Sequence, residues 1–166
     1  MTERLKGHVA LVTGAAGGIG GAIVRRFGAE GCYTVAADLR LPSCGDVALE
    51  CDLGSNPAVQ DLAASLAEER IEPSIVVHAA ALGEGRPTMS TDAAFLTRMV
   101  DVNVGGALRL AQHFGPPMRA RRRGNLLFVS SINSTFATPG LAAYAASKAA
   151  LDSLTKTLAL EFASDG

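Results

Sequence analysis

The chain has 166 residues, 48% hydrophobic and 19% charged, with a formal net charge of −1. That composition is globular, apolar enough to build a core and too apolar for a disordered segment. The near-neutral balance gives no electrostatic reason to expect nucleic acid or an anionic membrane as a partner. Cys32, Cys44 and Cys51 are odd in number and form no CxxC pair, so neither a disulfide framework nor a metal site is expected. The N-terminal "MTERLKGHVALVTG" has too short an apolar run for a signal peptide, and no stretch approaches transmembrane length. The expectation is a cytoplasmic protein with reduced thiols.

In chain order, residues 8–13 (HVALVT) read as a buried strand, apolar on both faces. A glycine-rich turn follows, then a helix over 18–30 closed by Gly31. Residues 32–37 (CYTVAA) form a second strand and 47–51 (VALEC) a third. The stretch "DLRLPSCGD" between them is too short and too rich in turn formers for a crossover helix. A helix over 57–69 has Asn56 as N-cap and Pro57 at its first position. Residues 74–79 (SIVVHA) are a fourth strand, 92–119 one long helix, 125–130 (NLLFVS) a fifth strand and 142–163 the last helix. Arg121, Arg122 and Arg123 read as a solvated helix end favoured by the helix dipole. Strands alternating with helices imply parallel pairing through right-handed crossovers. The fold class is therefore α/β, a doubly wound parallel sheet, with residues 1–166 as a single domain.

The turn "TGAAGGIG" (13–20) sits where a strand gives way to a helix. There, backbone N–H groups and the helix dipole converge on a spot suited to a pyrophosphate. Gly14 permits the turn, Gly18 admits the phosphates, and Gly20 lets helix and strand approach. Such a site calls for a carboxylate about 20 residues on, at the end of the second strand. Asp38 stands there, placed to hold a ribose.

Further along, "YAASK" puts Tyr144 and Lys148 four residues apart, on one face of a helix. Taken with Thr13-Gly14-x-x-x-Gly18-Ile19-Gly20, this pattern resembles the short-chain dehydrogenase/reductase family, in order along the whole chain. The resemblance implies catalytic roles for Asn103 in "DVNVGG", Ser131 in "VSSINS", Tyr144 and Lys148. Periodicity alone does not separate Ser131 from Ser130 and Ser134. An asparagine in mid-helix followed by Gly105 and Gly106 also suggests a local irregularity. The implied cofactor contacts are Gly14, Gly18, Ile19, Gly20, Asp38, Asp52, Leu53, Ala79, Tyr144 and Lys148, with no metal. "HAAA" (78–81) departs from the family's Asn-Asn-Ala-Gly, keeping small residues while His78 reads as a structural substitute.

The implied chemistry is hydride transfer between a nicotinamide and the carbon of an alcohol or ketone, with Tyr144 as acid/base. One ammonium at about 4 Å contributes about 4 kcal/mol at an effective dielectric of 20, the order needed to make a phenol a working acid near neutrality. Ser131 would bind the reacting oxygen, and Asn103 would hold a water linked to Lys148. Asp38 favours NAD over NADP, because a carboxylate repels a 2′-phosphate. The family continues past the point matched by Gly166, so five strands are expected here, without the family's last ones and with "NLLFVS" as an apolar edge. The alternative is a truncated, non-catalytic nucleotide-binding or interaction module. The resemblance implies a self-association surface on 92–119 and 142–163, giving a homodimer or homotetramer in a full-length form, and the apolar spread of 142–163 supports it from its own sequence.

Overall fold

The structure is a computed structural model and describes residues 3–165. Five strands form one sheet: β1 (Val9–Thr13), β2 (Tyr33–Asp38), β3 (Val47–Glu50), β4 (Ile75–His78) and β5 (Asn125–Phe128). Every pairing is parallel, in the order β3-β2-β1-β4-β5. The helices are α1 (Gly18–Ala29), α2 (Asn56–Glu68), α3 (Ala93–Val100), α4 (Gly106–Ala120) and α5 (Ala142–Phe162). Strand order reverses at β1, between β2 and β4, and it is outside such a reversal that α/β sheets open a crevice.

The period of two in the strands sends alternate side chains to opposite faces. Leu11, Val35 and Val76 pack with Val59, Leu62 and Leu66 of α2 and Leu110, Phe114 and Met118 of α4. Ala10, Val12, Ala36 and Val77 pack on the other face with Val24 of α1. As the turn-forming composition of 38–46 required, β2 reaches β3 without a helix.

Three expectations need correction. Residues 92–119 are not one regular helix: Asp92 caps α3 by accepting from the Phe95 N–H at 2.7 Å, and a π-helical turn at Asp101–Gly105 separates α3 from α4. The cause is the irregularity suspected at Asn103, whose side chain is turned into the interior. The N-cap of α2 is Ser55, not Asn56; its hydroxyl accepts from the Ala58 N–H, and Asn56 is already helical. Residues 47–51, read as a buried strand, are not buried on both faces, because β3 is an edge of the sheet; 125–130 form the apolar edge that was expected, with Leu127 45% exposed. The arginine run is the exposed helix end that was expected, and its side chains still find partners. Arg121 donates to Glu72 and to the Pro73 carbonyl, Arg122 to the Ser164 carbonyl and Arg123 to His8 Nε2.

Candidate active site

The glycine turn lies where β1 meets α1, against the exit of β4. Gly14 has a φ of +71°, and a Cβ there would come within 2.5 Å of the Ala80 nitrogen. A Cβ on Gly20 would overlap the carbonyl oxygen of Gly14, so this glycine is required by the turn's own backbone rather than by a side chain of β1. Gly18 differs: a Cβ there meets no protein atom within 4 Å. Packing explains two of the three glycines and leaves Gly18 with an open approach. The N-cap of α1, Gly17, brings no side-chain acceptor to the first turn of the helix.

Beside this turn lies a cleft of about 590 Å³, with Gly14, Gly17, Asp38, Asp52, Leu53 and Ala79 in its walls. The size is ordinary for a small-molecule site. Asp38 ends β2, and its carboxylate is aimed by two backbone donors, Ala16 N–H at 3.1 Å and Arg40 N–H at 3.4 Å. Asp52 accepts from the Gly54 N–H at 2.9 Å, closing a turn that carries Leu53 inward. The Leu53 carbonyl accepts from Arg109 at 2.8 Å, and Arg109 is also paired with Asp101. Ile19 stands on the first turn of α1, 61% exposed and outside the cleft wall.

Outside the walls of this cleft, α5 carries Tyr144 and Lys148 one turn apart. Lys148 is 2% exposed; its Nζ donates to the Val129 carbonyl at 2.7 Å and sits 5.8 Å from the Tyr144 ring centroid. Burial lowers its pKa from the ordinary lysine value, and the Asp152 charge offsets part of that. Asn103 is fully buried. Its Oδ1 accepts from Leu82 N–H at 2.7 Å, and its Nδ2 donates to the Leu82 carbonyl at 3.0 Å and to Ser147 Oγ at 2.9 Å. Ser147 in turn donates to the Tyr144 carbonyl at 2.7 Å, which ties the π turn to the turn of α5 bearing the tyrosine.

The three serines that periodicity left open have different surroundings. Ser131 caps a short 3-10 turn, accepting from the Asn133 N–H at 3.2 Å. Ser130 and Ser134 instead hydrogen-bond the Asp152 carboxylate and hold its pKa below the ordinary range.

Gly14, Asp38, Asp52, Leu53 and Ala79 thus share one cleft, while Asn103, Tyr144 and Lys148 are joined through Ser147 and helix α5. Reasoning from sequence missed Ser147, Leu82 and Arg109. Ser147 had a signal, since it lies three residues after Tyr144 and on the same helix face. Leu82 acts through its backbone and had none. Among the described residues no helix is long and apolar enough to cross a membrane, and no group of three or more His, Cys, Asp or Glu could hold a metal ion.

Comparison with known proteins agrees with this architecture. Residues 8–166 match the short chain dehydrogenase family. The sex determination protein tasselseed-2 of Zea mays is 35% identical over an alignment covering 100% of this chain and 54% of that protein. The 3-oxoacyl-(acyl-carrier-protein) reductase FabG of Thermotoga maritima is 31% identical, over 96% of this chain and 70% of its own length. Among solved structures, 4-hydroxyisoleucine dehydrogenase complexed with NADH superposes with a TM-score of 0.90 at 27% identity, covering 95% of this chain and 70% of that one. The chain therefore spans between about half and about two thirds of the length of these proteins. With the family match running nearly end to end, the chain belongs to the short-chain dehydrogenase family.

Proposed function

We propose that this chain is the dinucleotide-binding and catalytic part of an oxidoreductase acting on an alcohol or carbonyl carbon. The observation that carries this reading is Lys148. A lysine is almost never fully buried unless paired, yet this one is 2% exposed, and the only bond its Nζ is seen to make among the described residues is to one carbonyl. An ammonium has three donors, so two remain for groups on the side where Tyr144 lies. That arrangement suits a charge kept for chemistry.

A nicotinamide dinucleotide, when bound, supplies or receives the hydride. The remaining work falls to side chains of this chain. Tyr144 gives the reacting oxygen its proton or takes it away, and the Lys148 charge stabilises the phenolate. Lys148 also binds the nicotinamide ribose. Ser131 hydrogen-bonds the reacting oxygen, and Asn103 holds Tyr144's helical turn through Ser147. Asp38 accepts from the hydroxyls of the other ribose and disfavours a 2′-phosphate, so NAD is the preferred cofactor. Gly14, Gly18, Ile19 and Gly20 form the pyrophosphate turn, with Asp52 and Leu53 at the adenine and Ala79 leaving room beside it.

Self-association in the cytoplasm through α4 and α5 completes the reading. Only Ala143, Ser147, Lys148 and Leu151 of α5 are buried, leaving Leu154, Leu158 and Phe162 partly open and Leu160 81% exposed. Two-fold contact is the commonest way to cover such a face.

The test is a Tyr144→Phe variant assayed against a panel of secondary alcohols and ketones. Turnover should fall at least about 100-fold while the cofactor Kd stays within about twofold, because only a hydroxyl is removed. Activity within tenfold of wild type would remove Tyr144 from the chemistry.

A further inference from the structure

His78 is the last residue of β4 and has no solvent exposure. Its ring bridges two segments that the sequence keeps far apart. Nε2 lies 3.2 Å from the main-chain oxygen of Asn103 in the π turn, and Nδ1 lies 3.2 Å from Thr13 Oγ1, next to Gly14. A carbonyl oxygen only accepts, so Nε2 carries a proton. No carboxylate is bonded to the ring, and burial followed by the Lys148 charge disfavours a second proton. Nδ1 is therefore bare and accepts from the Thr13 hydroxyl, which also lies within hydrogen-bond distance of the Val77 carbonyl at 3.3 Å.

The ring has little freedom. A Cβ on Gly106 would come 3.3 Å from its Cε1, and Phe128 of β5 meets it edge-on at 6.3 Å. The backbone extends the link: the His78 carbonyl accepts from the Val129 N–H at 2.9 Å, and the Val129 carbonyl accepts from Lys148 Nζ. His78 thus touches the glycine turn and the π turn with its ring, and Lys148 through one intervening residue.

We infer that His78 is a positioning residue: as the Nε2–H tautomer it fixes the separation between the Thr13–Gly14 turn and the Asn103 turn, so that the glycine-turn cleft and the Lys148 side of the site are held as one body. Its meaning for catalysis rests on the function proposed above; the tautomer and its two bonds do not. Phenylalanine keeps the ring's bulk and loses both bonds. Glutamine carries an amide N–H near the position of Nε2 and keeps the bond to Asn103.

Two measurements test this. A long-range proton–nitrogen correlation spectrum of the ¹⁵N-labelled chain at neutral pH should show His78 neutral with the proton on Nε2; an Nδ1–H or charged ring overturns the inference. NADH titrations of wild type, His78→Gln and His78→Phe should then give a Kd within about threefold for Gln. For Phe it should be at least about tenfold weaker, with the Thr13 and Asn103 amide resonances displaced, as expected when a buried donor and acceptor lose their partner. Wild-type affinity and unmoved resonances in His78→Phe overturn it as well. If wild type itself binds no dinucleotide, the proposed function fails, and the tautomer still decides the role of His78.

Discussion

Acid should destabilise this fold through His78, and the amount can be worked out. Burial, then the Lys148 charge, lower the pKa of the folded ring from 6.5 to about 4, against a partly opposing bond to the Asn103 carbonyl. The unfolded chain titrates near the ordinary histidine value and so takes up a proton that the folded chain refuses between about pH 6.5 and 4. Stability contributed by the neutral ring is therefore full above the unfolded pKa and declines as pH falls toward the folded one. At 1.36 kcal/mol per unit, the loss from pH 7 to pH 5 is about 2 kcal/mol, rising to about 3 kcal/mol by pH 4. The Asp152 carboxylate, held below its ordinary 3.8, titrates beneath this window. Urea unfolding of wild type and His78→Gln at pH 7, 6 and 5 measures the effect, with glutamine as the non-titrating reference. The two stability curves should converge by about 2 kcal/mol over that range. Parallel curves would refute the reasoning, since the folded ring would then take its proton as readily as the unfolded one.

Other perturbations are equally specific. Gly14→Ala places a Cβ against the Ala79–Ala80 backbone at a φ of +71° and should cost about 2 kcal/mol or more in thermal or urea unfolding; a cost below 0.5 kcal/mol would mean that the turn relaxes. Asp38→Ala should narrow the preference for NAD over NADP at least tenfold in paired titrations, and an unchanged ratio would remove Asp38 from ribose recognition. Leu160→Glu, at the most exposed apolar side chain of α5, should shift sedimentation at micromolar concentration toward monomer. A wild-type chain that is already monomeric contradicts the proposed contact.

The sheet was legible because buried parallel strands are short apolar runs with few rivals: the ends of β1, β2 and β4 fall within a residue of the pattern. The β3 edge was less legible, because Val47 and Leu49 look alike whether or not a neighbour covers them, whereas 125–130 was expected as an edge. The α2 cap was misplaced by one residue because Ser55 and Asn56 are both good caps, and only the backbone decides which hydroxyl or amide reaches the Ala58 N–H. The π turn at Asn103 could be suspected from a polar residue and two glycines in mid-helix. Its cause was hidden, since the partners are backbone atoms of Leu82 and the hydroxyl of Ser147, 44 positions away. His78 likewise reads as an isolated strand histidine until β4 is laid beside Thr13 and the π turn.

The central claim is that the cleft between the glycine turn, Asp38 and Asp52 receives a nicotinamide dinucleotide and presents its far end to Tyr144 and Lys148. The most direct measurement is an NADH titration of the ¹⁵N-labelled chain followed by amide chemical shifts. Saturable one-to-one binding is expected, with the largest changes at Gly14, Gly17, Gly18, Asp38, Asp52 and Ala79, and smaller ones at Tyr144 and Lys148. Absence of saturable binding, or changes confined to the outer faces of α4 and α5, would contradict it.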